Sequence, residues 1–210
     1  QDVFPEIAQE LGVKVIQGPV AWALKAARTA SLRAASANVV LSAGMAARLR
    51  DQGVPADRLH VVPNWIDTTA VYPVPHRDNP LRAEWGLQDK FVVLHSGNLG
   101  RAHDVGTVLD AARQLQGDAH IRFLFVGGGH LYDQLKQMAH EQGLANMAFQ
   151  PYQPADRLPL SLSAADVHLS ALAPALEGLL VPSKISRAWL RRPGGAKGVS
   201  QGRQVRWSRP

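Results

Sequence analysis

Two apolar runs constrain this chain more than anything else in it: Phe91-Val92-Val93-Leu94-His95 and Ile121-Arg122-Phe123-Leu124-Phe125-Val126. Neither alternates apolar with polar residues, so neither suits a sheet with one face in water. Near-continuous β-branched and aromatic runs of this length belong to strands buried on both faces, the arrangement of a parallel sheet covered by helices. Each run is followed by a glycine-bearing segment, Ser96 to Arg101 and Gly127-Gly128-Gly129, and then by a helical pattern, Val105 to Leu115 and His130 to Gln142. A short strand at Met147-Ala148-Phe149, a helix from Ala155 to Ala165 and a strand at Val167-His168-Leu169-Ser170 continue the alternation.

The same rhythm is readable upstream, more faintly. Pro19 to Ala35 reads as an alanine-rich helix and Asn38 to Ser42 as a buried strand. Ala43 to Gln52 reads as a helix stopped by Gly53, and Leu59-His60-Val61-Val62 as a strand. Asp67 to Pro80, with Pro73, Pro75 and Pro80 and little periodicity, interrupts the pattern as an interdomain linker would. The expected fold is therefore α/β, with two doubly wound Rossmann-like parallel-sheet domains, both incomplete, so that unfinished sheets would expose edges and apolar faces. On this reading residues 1–66 belong to the first domain, 67–80 to the linker and 81–185 to the second. Residues 186–210 form a basic tail that takes no part in either.

Composition narrows the function. With 46% hydrophobic residues among 210, the chain buries a sizeable core. No apolar run reaches the roughly 18 residues that span a bilayer, and Gln1 to Glu6 has neither the basic nor the apolar part of a secretion signal. The absence of cysteine excludes disulfides and thiolate metal sites and accords with a reducing compartment. The net charge of +6 suggests a nucleic-acid partner until it is located. Seven of the 23 basic residues lie between Ser186 and Pro210 without an acid, leaving 16 against 17 acidic residues in the rest. A nucleic-acid reading would rest on that tail alone, and no nucleic acid is expected as partner. The eight histidines show no metal-ligand spacing, and no metal or cofactor is expected.

In open parallel sheets ligands bind beyond the carboxyl ends of the strands, where helix amino termini favour anions. Ser96-Gly97-Asn98-Leu99-Gly100-Arg101 combines glycines that let backbone N–H groups approach a phosphate with a guanidinium. Gly127-Gly128-Gly129 is a second such loop. Short connections need glycine for tight turns in any case, so each loop by itself is weak evidence. The spacing departs from the dinucleotide fingerprint, and no acid follows to take a ribose, which disfavours a nicotinamide enzyme. A third segment, Pro174 to Lys184, would share the same rim; Glu177 suits sugar hydroxyls and Lys184 a diphosphate. On chemistry alone both also suit solvated loop charges.

Four stretches together resemble the family 4 glycosyltransferases of bacterial polysaccharide synthesis, especially the branch similar to the colanic acid enzymes. They are Gln1 to Glu6, Val62-Pro63-Asn64-Trp65-Ile66-Asp67, His95 to Arg101, and Glu177-Gly178 with Val181-Pro182-Ser183-Lys184. The resemblance implies a GT-B fold and transfer of a sugar from a UDP- or GDP-linked nucleotide sugar to a glycan or lipid-linked acceptor, with retention of configuration and without a metal. It implies a cytoplasmic location with peripheral association at the inner face of the membrane. By the same resemblance Gly97 and Gly100 bring the backbone to the donor diphosphate, and Arg101 stabilises the leaving group. Gly127, Gly128 and Gly129 border the nucleotide, Glu177 contacts the donor sugar and Lys184 lies near the phosphates. Asn98 and His103 stand where many members carry an arginine and a lysine on the diphosphate. The other readings are a sugar-nucleotide epimerase of similar architecture and a non-catalytic nucleotide-sugar-binding remnant.

The resemblance also implies about a hundred further residues before Gln1 and a different continuation after Ile185, where an alanine- and glycine-rich helix is expected in place of Ser186 to Gly195. The chain is therefore read as part of a longer enzyme, weakly active or inactive alone, with a reading-frame shift near codon 185. Sequencing the gene tests this: the alternative frame downstream should encode a continuing glycosyltransferase, and a frame that does not would refute the shift.

Overall fold

The computed structural model describes residues 18–65 and 67–176. Gln1 to Glu6, Glu177, Lys184 and the basic tail fall outside the described residues. Among the described residues two parallel sheets form, one of two strands and one of four.

The first unit begins with α1 (Gly18–Ala34), followed by β1 (Asn38–Val40), α2 (Ala43–Asp51) and β2 (Leu59–Val61). Helix α2 starts where Ser42 Oγ accepts the amide of Met45, satisfying one of the donors a helix start leaves open. It ends at Gly53, whose φ of 82° lets the amides of Gly53 and Val54 return to the carbonyls of Arg50 and Leu49. Val54, delivered by that turn, is buried beside Val40, Met45 and Leu49. Strands β1 and β2 pair in parallel, Asn38 opposite Leu59 through Val40 opposite Val61. Asn38 Nδ2 and the Arg33 and Arg58 guanidiniums fasten α1 to this pair through backbone carbonyls. Among the described residues Val39, on the face of β1 away from this packing, is 67% exposed.

The second unit holds the larger sheet. Strands β3 (Phe91–Asn98), β4 (Ile121–Gly128), β5 (Met147–Gln150) and β6 (Val167–His168) run in the order β5-β4-β3-β6, all pairs parallel. Helix α3 (Pro80–Glu84) precedes β3, and helices α4 (Val105–Gln114), α5 (Tyr132–Glu141) and α6 (Leu158–Ser163) connect the strands. Along β4 the side chains divide by the strand period of two. Phe123 and Phe125 join Val108, Leu109, Ala112 and Leu135 on one face, while Leu124 and Val126 join Leu87, Val92, Leu94 and Ala164 on the other. Both faces are thus packed, which is why these strands read as unbroken apolar runs.

Residues 67–80 run against this unit. Val71 is buried, the Val74 amide donates to Ser163 Oγ, and Asn79 Nδ2 donates to the Leu160 carbonyl. At the amino end of β3 stands a buried cation. Arg82, 4% exposed, donates to the carbonyls of Ala164, Leu87 and Lys90, and its Nη1 lies 3.5 Å from Asp166 Oδ2. Asp166 in turn accepts the Val92 amide. One side chain therefore joins α3, the turn before β3 and the turn before β6. Removing a partner from a buried ionic network leaves unpaired groups in a dry place. Arg82→Ala is expected to lower stability by about 3–5 kcal/mol in a denaturant titration, and a loss below about 1 kcal/mol would show that water replaces the guanidinium.

Candidate functional site

Strands β3 and β4 stay in register to their last residues, with Gly97 opposite Gly127 and Asn98 opposite Gly128. This corrects the boundaries read from sequence: Ser96, Gly97 and Asn98 belong to β3, and Gly127 and Gly128 to β4. A parallel partner that continues for eight residues offers hydrogen bonds that a free loop lacks, so the ladder carries both glycine segments with it. Helix α4 and helix α5 are also slightly shorter than expected, and the helix read from Ala155 resolves into a 3-10 turn at Ala155–Arg157 followed by α6.

The glycines are needed for contact between the two strand ends. Gly127 has φ 143° and Gly129 φ 121°. A Cβ on Gly127 would strike the Gly97 carbonyl, and one on Gly129 would strike the backbone of Leu99 and the side chain of Asn98. Leu99 then staples the two loops. Its amide donates to the Gly128 carbonyl at 2.7 Å, its carbonyl accepts the Leu131 amide at 2.9 Å, and its side chain is buried in the core beneath. Sequence reading passed over Leu99; the signal was one apolar residue inside an otherwise polar glycine loop.

Beyond Leu99 the chain turns at once. The Gly100 carbonyl accepts both the amide and Nδ1 of His103, at 3.1 and 3.0 Å. An Nδ1 facing a carbonyl must carry the proton, which sets the tautomer of a neutral ring. The His103 ring meets the buried His95 edge to face at 5.1 Å, and His95 stacks on Phe125 at 5.9 Å. Arg101 projects from the turn as an exposed side chain. Asp104 caps α4: Oδ1 accepts the Thr107 amide at 3.1 Å and Oδ2 the Thr107 hydroxyl at 2.6 Å. The Thr107 hydroxyl, then its amide, hold the Asp104 carboxyl below its ordinary 3.8. The first turn of α4 is therefore already served by a carboxylate of this chain.

The structure thus brings Gly97, Asn98, Gly100, Arg101, His103, Gly127, Gly128 and Gly129 to one rim at the carboxyl ends of β3 and β4. The rim is closed on the β6 side, where His103 bridges Leu172 and the Ala173 and Asp104 amides bond the Ala102 and Ala171 carbonyls. Leu172, Ala173 and Leu176 also pack on Val40, Met45 and Leu49, so the two units touch beside this rim. Among the described residues no group of three or more His, Cys, Asp or Glu is placed to hold a metal ion, and no helix is long and apolar enough to cross a membrane.

A parallel sheet with paired glycine strand ends, beside a second parallel α/β unit, defines the class of the GT-B glycosyltransferases. Residues 7–65 match the glycosyl transferase 4-like domain and residues 78–179 match the glycosyl transferases group 1 family; the chain belongs to this glycosyltransferase family. It is 33% identical over 148 residues to WcaI of Escherichia coli K12, described as a colanic acid biosynthesis glycosyl transferase, covering 70% of this chain and 36% of WcaI. It is 33% identical over 187 residues to the glycosyltransferase WbjE of Pseudomonas aeruginosa, covering 87% of this chain and 46% of WbjE. The chain therefore spans less than half the length of these curated relatives. The Anabaena protein HepE, solved with UDP and glucose, superposes with a TM-score of 0.65 at 20% identity, over 80% of this chain and 46% of HepE. Sucrose-phosphate synthase of Thermosynechococcus elongatus gives 0.54 at 23%, over 75% and 41%. These structural likenesses show the GT-B fold.

Two outcomes follow from the geometry. Gly127→Ala forces a strained φ and a backbone collision, so it should cost at least about 2 kcal/mol in chemical denaturation, whereas Gly117→Ala, with nothing within 4 Å, should stay within about 1 kcal/mol. Asp104→Ala should cost about 1 kcal/mol near neutral pH through loss of the cap. Because the folded carboxyl is held below its ordinary value, that contribution is present above about pH 4 and fades as pH falls through the lowered value. Stability curves of wild type and variant should converge in acid; curves that stay parallel would contradict the assignment.

Proposed function

We propose that the rim formed by β3 and β4 binds the diphosphate of a nucleotide-sugar donor, and that the parent enzyme transfers the sugar to a glycan or lipid-linked acceptor in polysaccharide synthesis. The observation that carries this reading is the close pairing of Gly97 with Gly127, which leaves bare backbone one residue before the ends of both strands, beside the cationic Arg101. Backbone at such ends can approach an anion closely, and a fixed cation gains importance as negative charge grows on the departing nucleotide diphosphate. Arg101 acts on that leaving group. His103 and Asn98 complete the phosphate side, and Gly128 and Gly129 border the nucleoside. Glu177 and Lys184 are proposed to face the donor sugar and phosphates from the segment that follows Leu176. No metal is invoked, and the configuration at the anomeric carbon is retained.

UDP is the favoured nucleotide, since HepE was solved with UDP and with UDP-glucose. WcaI, named for colanic acid biosynthesis, supports a role in making a bacterial polysaccharide, and action at the cytoplasmic face of the membrane is part of the same proposal. Turnover by these 210 residues is proposed to be weak, because the two-stranded sheet leaves the Val39 face in water. A non-catalytic nucleotide-sugar binder remains the second reading, favoured by that same open face.

Calorimetry with UDP-glucose and GDP-mannose, followed by a nucleotide-release assay, tests this. Binding of one donor, weakened about tenfold by Arg101→Ala, is expected, with slow release of nucleotide. Failure to bind either donor would defeat the donor-site reading. Fast release would defeat only the claim of weak activity.

A further inference from the structure

Strand β6 is short, and the chain that follows it governs how the Arg101 turn is held. The Leu169 amide still bonds the Leu94 carbonyl of β3 at 2.7 Å, and beyond it the chain pairs with the turn. The Asp104 amide donates to the Ala171 carbonyl at 3.3 Å and the Ala173 amide to the Ala102 carbonyl at 2.9 Å, which sets His103 opposite Leu172 in an antiparallel bridge. Arg101 therefore lies between two fastened neighbours. Gly100 holds the amide and Nδ1 of His103 through its carbonyl, and Ala102 is tied to Ala173.

The side chains of this segment divide between two cores. Leu169 and Ala171 lean on the core beneath Leu99, with Val108, Phe123 and Phe125. Leu172, Ala173 and Leu176 pack instead with Val40, Met45, Leu49 and Val54 of the first unit, and Ala102, the neighbour of Arg101, joins them. A 3-10 turn at Pro174–Leu176, in which the Leu176 amide donates to the Ala173 carbonyl at 2.9 Å, brings Leu176 into that core, where it is 1% exposed. A leucine sunk this deep cannot shift without opening a cavity, because interiors are close-packed. Its hold passes through Ala173 and Ala102 to the backbone beside Arg101.

We propose that Leu176 is a positioning residue for the rim: its burial in the first unit fixes the turn that carries Arg101 beside the ends of β3 and β4. The proposal rests on the reading of that rim as a diphosphate site. It makes the first unit a structural part of the phosphate site, although Leu176 itself touches no ligand. Because Leu176 acts through Arg101, its removal should matter only while the guanidinium is present.

Titration calorimetry of the full chain with UDP, below the melting temperature of every variant, tests this. Leu176→Ala is expected to weaken UDP about five- to tenfold, and Leu176→Met, which refills the volume, to stay within about twofold of wild type. In the Arg101→Ala background the further loss from Leu176→Ala should shrink to less than about twofold, since the two residues act as one unit. Thermal melting identifies the folded variants. Should Leu176→Ala not fold, Leu176→Val takes its place, with a loss of about threefold that also vanishes in the Arg101→Ala background. A folded Leu176→Ala or Leu176→Val that binds UDP as wild type does, or whose loss persists undiminished without Arg101, overturns the positioning role and spares the diphosphate site. Unchanged UDP binding by Arg101→Ala removes the part given to Arg101 and the positioning role with it. Failure of wild type to bind UDP overturns the diphosphate site and the positioning role together.

Discussion

The parallel pairing of β3 with β4 through eight consecutive residues governs the rest of this structure. It fixes which side chains of each strand face which layer of helices, because a shift of one residue would exchange the two faces. It also runs on until the strands reach Gly97 and Gly127, where a Cβ on Gly127 would strike the Gly97 carbonyl. The ladder therefore carries bare backbone, with Asn98 as its one last side chain, to the edge where an α/β sheet binds its ligands. Had Gly127 been larger, the strands would have to part before that edge.

From this constraint the other features take their places. Leu99 can reach both loops only because they end level with each other, and its two backbone bonds turn them into one surface. Asp104 satisfies the start of α4, so the positive end of that helix is shared with a resident carboxylate. The positive charge on the described part of the loop then falls to Arg101. At the opposite end of the strands Arg82 and Asp166 hold the turns together. The molecule keeps its rigid ionic network and its proposed ligand rim at opposite ends of one sheet.

The alternation of strands and helices was legible because burial on two faces leaves an unmistakable mark, as in Phe123 to Val126. Strand ends were less legible. Gly97, Asn98, Gly127 and Gly128 look like loop residues by propensity, and only pairing with a neighbour makes them strand. In the first unit Asn38 to Val40 reads as a buried strand, and Val39 is nonetheless exposed, since an apolar run describes what a face prefers and not what is present to cover it. Leu99 and Leu176 were missed because single apolar residues in loops carry no periodic signal.

The sequence alone determined the class of fold, the order of its elements, the confinement of the excess positive charge to the last residues and the resemblance to glycosyltransferases. These depend on local propensity, composition and motifs, which one dimension contains. Tertiary structure decided that the two glycine segments are adjoining strand ends and that Leu99 joins them. It also placed Asp104 on the helix start and Leu176 in the core of the first unit. Each of those facts concerns residues that share no turn of helix and no stretch of chain, and hydrogen bonding between strands is what brings them within reach.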